Sequence, residues 1–78
     1  MRSISIFGAT GSIGASTLDL LRRDKGKWRV IALTANGKAE ELAALATEFD
    51  AEIAVVADEA RLPELRQALA GSAIEAAA

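Results

Sequence analysis

Apolar positions along this chain switch between a period of two and a period near 3.6, and each switch predicts a change of element. Residues 3–6 alternate polar and apolar and, with Phe7, predict a first strand over 3–7. Ile13, Ala15, Leu18, Leu20 and Leu21 then follow helical spacing, predicting a helix over 12–24 that Gly26 terminates. Residues 28–34 predict a second strand with a continuous apolar centre from Val30 to Leu33. Leu42, Leu45 and Phe49 at i, i+3 and i+7 predict a helix over 38–49. Residues 53–57 predict a third strand. Asp58 is a fitting N-cap for the helix that follows, with Pro63 near its first turn, Leu62, Leu65 and Leu69 on one face, and Gly71 at its close. Residues 72–78 begin a fourth strand.

Apolar strands separated by amphipathic helices, at intervals of about 20–25 residues, are the pattern of consecutive βαβ units on a parallel sheet. The expected fold class is α/β: a Rossmann-like three-layer βαβ arrangement with a parallel sheet of three to four strands, incomplete within this length. Doubly wound sheets of this kind put the first strand in the middle, with the second strand on one side and the fourth on the other. The first strand then keeps a thinly covered edge, and an apolar parallel edge invites self-association.

Composition narrows the chemistry. The 78 residues contain no cysteine and no histidine, which excludes disulfides, thiolate catalysis, imidazole or thiolate zinc sites and a Ser-His-Asp triad within them. A net charge of −2 argues against a nucleic-acid or anionic-membrane partner. No apolar run approaches the length of a membrane span, and the amino terminus enters a strand pattern rather than a signal-peptide core, so the expected location is cytoplasmic. The basic residues Arg22, Arg23, Lys25, Lys27 and Arg29 suit a helix carboxyl end. Asp58 and Glu59 suit a helix start on the sheet rim, where an adenine could rest. Trp28 suits packing, and Asp19 a solvated helix face.

The segment with chemical content is Gly8-Ala9-Thr10-Gly11-Ser12-Ile13-Gly14, between the first strand and the first helix. A tight strand-to-helix turn needs positive φ, which suits Gly8. Close approach to phosphate oxygens excludes a Cβ, which suits Gly11, and close helix-on-strand packing suits Gly14. Free N–H groups from Thr10 to Ile13 would then face an anion at the helix start, with the Thr10 and Ser12 hydroxyls as further donors. The spacing is G-x-x-G-x-x-G rather than the standard G-x-G-x-x-G, and a plain tight turn is the alternative explanation.

The end of the second strand bears on which dinucleotide would bind. An NAD site carries Asp or Glu there to hold the ribose 2′-hydroxyl. This chain has Asn36, Gly37 and Lys38, with no acid along the sequence until Glu40 and Glu41. A cation and amide donors welcome a 2′-phosphate that an acid would repel. The loop therefore favours NADP(H), against the alternative of a simple Asn-Gly surface turn.

The stretch from Gly8 to Asp19 resembles the amino-terminal signature of the 1-deoxy-D-xylulose 5-phosphate reductoisomerase family. Residues 30–36, Ala57-Asp58-Glu59 and 71–75 resemble its second, third and fourth strand regions, so the likeness covers nearly the whole chain. The resemblance implies an enzyme that rearranges its sugar-phosphate substrate and reduces it with NADPH to 2-C-methyl-D-erythritol 4-phosphate, in non-mevalonate isoprenoid synthesis. It implies Mg²⁺ or Mn²⁺ as a second cofactor and a homodimer. Carried over by position, Thr10, Gly11, Ser12 and Ile13 contact the cofactor phosphates, Gly8 belongs to the same cofactor-binding turn, and Asn36, Gly37 and Lys38 surround the 2′-phosphate. The loop departs somewhat from some members of the family.

The family's metal carboxylates, substrate-phosphate ligands and lid have no counterpart in these residues. The expectation is that residues 1–78 are the amino-terminal part of a dinucleotide-binding domain, without the catalytic and carboxyl-terminal domains and inactive alone. Alternatives are another NADP-dependent Rossmann reductase, whose Tyr-x-x-x-Lys is absent here, or a non-catalytic NADP(H)-sensing module.

Overall fold

The structure, a computed structural model, describes residues 2–24 and 26–78. Strand β1 (Arg2–Ile6) leads through helix α1 (Ser12–Arg23) to β2 (Trp28–Ala35), then α2 (Ala39–Phe49) and β3 (Ile53–Val56). A 3₁₀ turn (Glu59–Arg61) runs into α3 (Leu62–Ala68), and β4 (Glu75–Ala77) follows. All three strand pairings are parallel, so the α/β class predicted from the alternating periods is the class observed.

The later helices bury or half-bury the leucines their spacing predicts, but α1 buries only Leu18 and Leu21 of its predicted apolar positions. Ile13, Ala15 and Leu20 are exposed, and Gly14 takes the place of Ile13 against the sheet because the closely packed bend admits no side chain there. Gly14, Leu18 and Leu21 of α1, Ala39, Leu42, Ala43 and Ala46 of α2, and Leu65 of α3 turn toward the sheet. Leu33, Ala35, Ala54 and Val56 meet them from β2 and β3. Leu18, Leu33, Leu42 and Leu65 are the largest of the fully buried side chains. Each contributes about 2 kcal/mol by leaving water. The alanines on α2 bury little area themselves, but their size lets the helix sit close to the sheet.

The strand order is β1-β2-β3-β4. This corrects the expectation that the fourth strand flanks the first: β4 lies beside β3, and β1 is an edge. The reason is the length of the return path. After the seven residues of α3, the Ser72 hydroxyl donates to the Leu69 carbonyl at 2.6 Å and accepts the Ile74 N–H at 3.2 Å. The chain is turned at once, and the Glu75 N–H meets the Glu52 carbonyl at 3.0 Å. Short connections return to the nearest strand, and reaching β1 would mean crossing β3 and β2. The same Ser72 bonds delay the fourth strand from position 72 to Glu75.

Each crossover steps one strand in the same direction, and right-handed crossovers of that kind put their helices on one face. The Arg22 guanidinium on α1 accordingly reaches Glu48 on α2, donating to its two carboxylate oxygens at 2.5 and 2.9 Å, and lies 5.3 Å from the centre of the Phe49 ring. Of the three layers of the expected fold, the described residues build two, a sheet and one helix layer. On the other face Ile31, Thr34, Ile53 and Val55 remain half-buried.

Candidate functional site

The carboxyl ends of β1 and β2 lie side by side, with Ile6 in register with Leu33. Two loops leave this edge: the glycine turn from β1 into α1, and residues 36–38 from β2 into α2.

β1 ends one residue earlier than predicted. Phe7 belongs to the turn and is 80% exposed, because Gly8 at φ +69° already bends the chain away from the sheet. An L residue with a Cβ is strained at that angle. The turn is then closed by three bonds. The Gly8 N–H donates to the Thr34 hydroxyl at 3.0 Å, the Ala9 N–H to the Thr34 carbonyl at 2.7 Å, and the Gly11 N–H to the Gly8 carbonyl at 3.0 Å. Gly14 presses the helix onto this bend: a Cβ there would stand 2.3 Å from the Gly8 oxygen and 2.8 Å from the Ala9 Cα.

The expectation that all N–H groups from Thr10 to Ile13 are free is corrected at Gly11, whose N–H closes the turn. Gly11 instead serves by having no side chain at the helix N-cap, in an extended conformation of φ −85° and ψ 173°. The first bond into the helix runs from the Ala15 N–H to the Gly11 carbonyl at 2.8 Å. The N–H groups of Thr10, Ser12 and Ile13 have no acceptor among the described residues; for Ser12 and Ile13 this is what a helix start leaves open, while Thr10 lies just before it in the turn. Ser12 and Ile13 are exposed, Ile13 by 84%. No side chain caps α1 and no acid lies in its first turn, whereas α2 carries Glu40 and Glu41 there. The α1 terminus thus keeps its positive end uncompensated, and an anion fits it.

In the second loop, Asn36 and Lys38 are exposed and Gly37 is half-buried. The backbone is fixed from the β3 side: the Ala57 N–H donates to the Ala35 carbonyl at 2.8 Å, and the Asp58 N–H to the Asn36 carbonyl at 2.9 Å. Lys38 stands at the N-cap of α2 and makes no ion pair with a described residue. Asp58 does cap the turn after β3, accepting from the Ala60 N–H at 3.1 Å. Its other oxygen, Oδ2, lies 4.0 Å from where a Cβ on Gly37 would be, so the fold brings an acid to the rim of this loop. The structure thus gathers Gly8, Thr10, Gly11, Ser12, Ile13, Asn36, Gly37 and Lys38 along one edge. It also adds Thr34, which the sequence reading treated only as the end of a strand. The available signal was one hydroxyl residue at the end of an apolar strand run.

The set-aside candidates are structural. Arg22, Arg23 and Arg29 pair with Glu48, Asp19 and Glu52, and the hydrogen bonds Arg22 donates to the Glu48 carboxylate raise its pKa. Lys25 lies outside the described residues. Trp28 packs half-buried against the core. A concavity of about 800 Å³ lined by Leu21, Trp28, Phe49 and Ile74 opens at the other end of the sheet, where Arg29 and Glu52 also stand. Among the described residues no three of His, Cys, Asp and Glu cluster to hold a metal ion, and no helix is long and apolar enough to cross a membrane.

Comparison with known proteins gives consistent results. The family model for 1-deoxy-D-xylulose 5-phosphate reductoisomerase matches residues 4–78. Proteins of that description from Rhodopseudomonas palustris (strain HaA2) and Nitrobacter hamburgensis are 61% and 57% identical over 95% and 96% of this chain, which covers 18% of each. The solved structure of the Zymomonas mobilis reductoisomerase in complex with NADPH superposes with a TM-score of 0.95 at 50% identity, over 97% of this chain and 20% of that one. The chain thus spans about a fifth of the length of the relatives it matches.

Proposed function

The chain belongs to the 1-deoxy-D-xylulose 5-phosphate reductoisomerase family, and on that premise we propose that it is the amino-terminal part of the NADPH-binding domain of such an enzyme. The enzyme rearranges 1-deoxy-D-xylulose 5-phosphate and reduces the product to 2-C-methyl-D-erythritol 4-phosphate. NADPH, when bound, supplies the hydride.

The observation that carries this reading is the glycine turn: N–H donors of Thr10, Ser12 and Ile13 at a helix start with no carboxylate in its first turn. In the proposal these groups, with the Ser12 hydroxyl, hold the pyrophosphate, while Gly8 and Gly11 give it room. Asn36, the Gly37 backbone and Lys38 hold the 2′-phosphate. Relatives solved with NADPH and with magnesium support the two cofactors. Among the described residues no cluster fits a divalent ion, so the Mg²⁺ or Mn²⁺ of the reaction is assigned to other segments of the enzyme. The assembled enzyme is a cytoplasmic homodimer in this reading, which sedimentation of the full-length protein checks.

Equilibrium titration of the full-length protein with NADPH and NADH tests the assignment. The expected result is at least tenfold tighter binding of NADPH, and NADPH oxidation that depends on the sugar phosphate and a divalent ion. Equal affinity for the two nucleotides would overturn the 2′-phosphate site. NADPH binding without turnover would favour a sensing module.

A further inference from the structure

Thr34 is the point where the two loops of the site meet. It follows Leu33 and precedes Ala35, both buried against the helices, so strand alternation directs its own side chain to the opposite face. From there its hydroxyl accepts the Gly8 N–H at 3.0 Å and its carbonyl accepts the Ala9 N–H at 2.7 Å. Both donors lie beyond the end of β1, and the hydroxyl bond is one the strand ladder cannot supply. Two residues later the same strand becomes the Asn36-Gly37-Lys38 loop, pinned on its far side by the Ala57 and Asp58 N–H groups.

We propose that Thr34 is a positioning residue for the dinucleotide, tying the pyrophosphate turn to the 2′-phosphate loop so that both halves of the cofactor meet a preset spacing. This rests on the NADPH-binding reading above. The chemistry has two parts. Taking up the Gly8 and Ala9 N–H groups leaves the turn oriented so that the donors of Thr10, Ser12 and Ile13 remain for the ligand. Preorganisation then lowers the cost of ordering the two loops at the moment of binding. Valine matches the shape of threonine but accepts no hydrogen bond, so the hydroxyl can be tested apart from packing.

The test is steady-state and binding analysis of the full-length enzyme carrying Thr34→Val, Thr34→Ala or Thr34→Ser. Loss of the acceptor is expected to raise the KM and Kd for NADPH about five- to tenfold, with kcat within about twofold. Thr34→Ser, which keeps the hydroxyl, is expected to stay within about twofold of the parent in both. If the valine variant does not fold, the contrast of alanine with serine decides. A double-mutant cycle with Lys38→Ala reads the tie itself: the Lys38 penalty on NADPH affinity is expected to shrink in the Thr34→Val background. A parent that binds NADPH selectively, beside Thr34→Val and Thr34→Ala variants with unchanged KM, overturns the inference and leaves the NADPH reading standing. Full additivity with Lys38→Ala overturns the tie in the same way. A parent without NADPH preference sinks both.

Discussion

The glycine turn and the 36–38 loop leave neighbouring strands at the same edge, yet they are built on opposite principles. The turn is made of backbone. Gly8 is needed for its dihedral, Gly14 for lack of space, and three hydrogen bonds close the bend before any ligand arrives. The loop is fixed through the backbone of Asn36, but its chemistry sits on the exposed side chains of Asn36 and Lys38. In the turn, the N–H groups that close the fold alternate along the same backbone with those left open, so a change to one set disturbs the other. In the loop folding and ligand binding are separable, so charge can be changed there without touching the fold.

Substitutions that split stability from affinity test this contrast. Gly14→Ala carries the largest expected effect. Alanine in a helix interior ordinarily stabilises relative to glycine, but here its Cβ meets backbone at 2.3 Å, and the expected outcome is a loss of about 3 kcal/mol in denaturant unfolding of the full-length protein. A gain in stability would show that the helix does not press on the turn. Gly8→Ala meets no atom within 4 Å, so only its backbone angle of +69° is penalised. The expected cost is about 1–2 kcal/mol by the same measurement. Lys38→Ala reverses the profile: NADPH affinity falls about tenfold, equivalent to about 1.4 kcal/mol, while NADH affinity and unfolding stay unchanged. A parallel fall in NADH binding would contradict a 2′-phosphate role. Asp58→Ala removes the cap on the Ala60 N–H and is expected to cost about 0.5–1 kcal/mol in stability. It is also expected to leave NADPH affinity equal or slightly tighter, as an acid leaves the rim of the loop.

The same contrast governs what could be read before the structure. Gly8 and Gly14 announce themselves because each answers a steric demand that other residues meet badly, and Leu42 or Leu65 because burial repeats at helical spacing. The placement of β4 was not legible. Pairing partners depend on where a short connection such as 69–74 can reach, and the Ser72 bonds that decide it look like any serine beside a glycine. Thr34 was hidden for a related reason. Its partners Gly8 and Ala9 are far away in sequence, and nothing in a strand-end threonine says which N–H groups it will meet. The occupied N–H of Gly11 was missed because a turn can close on itself in ways that glycine spacing does not specify.

The running order of the sheet, each strand laid against its predecessor, has a bearing on synthesis. As the polypeptide leaves the ribosome, β2, β3 and β4 each find the preceding strand already made. Loop closures stay local, which favours quick assembly. The bend between β1 and α1 needs only Thr34 to be out of the exit tunnel before it can close, so this glycine platform can form early.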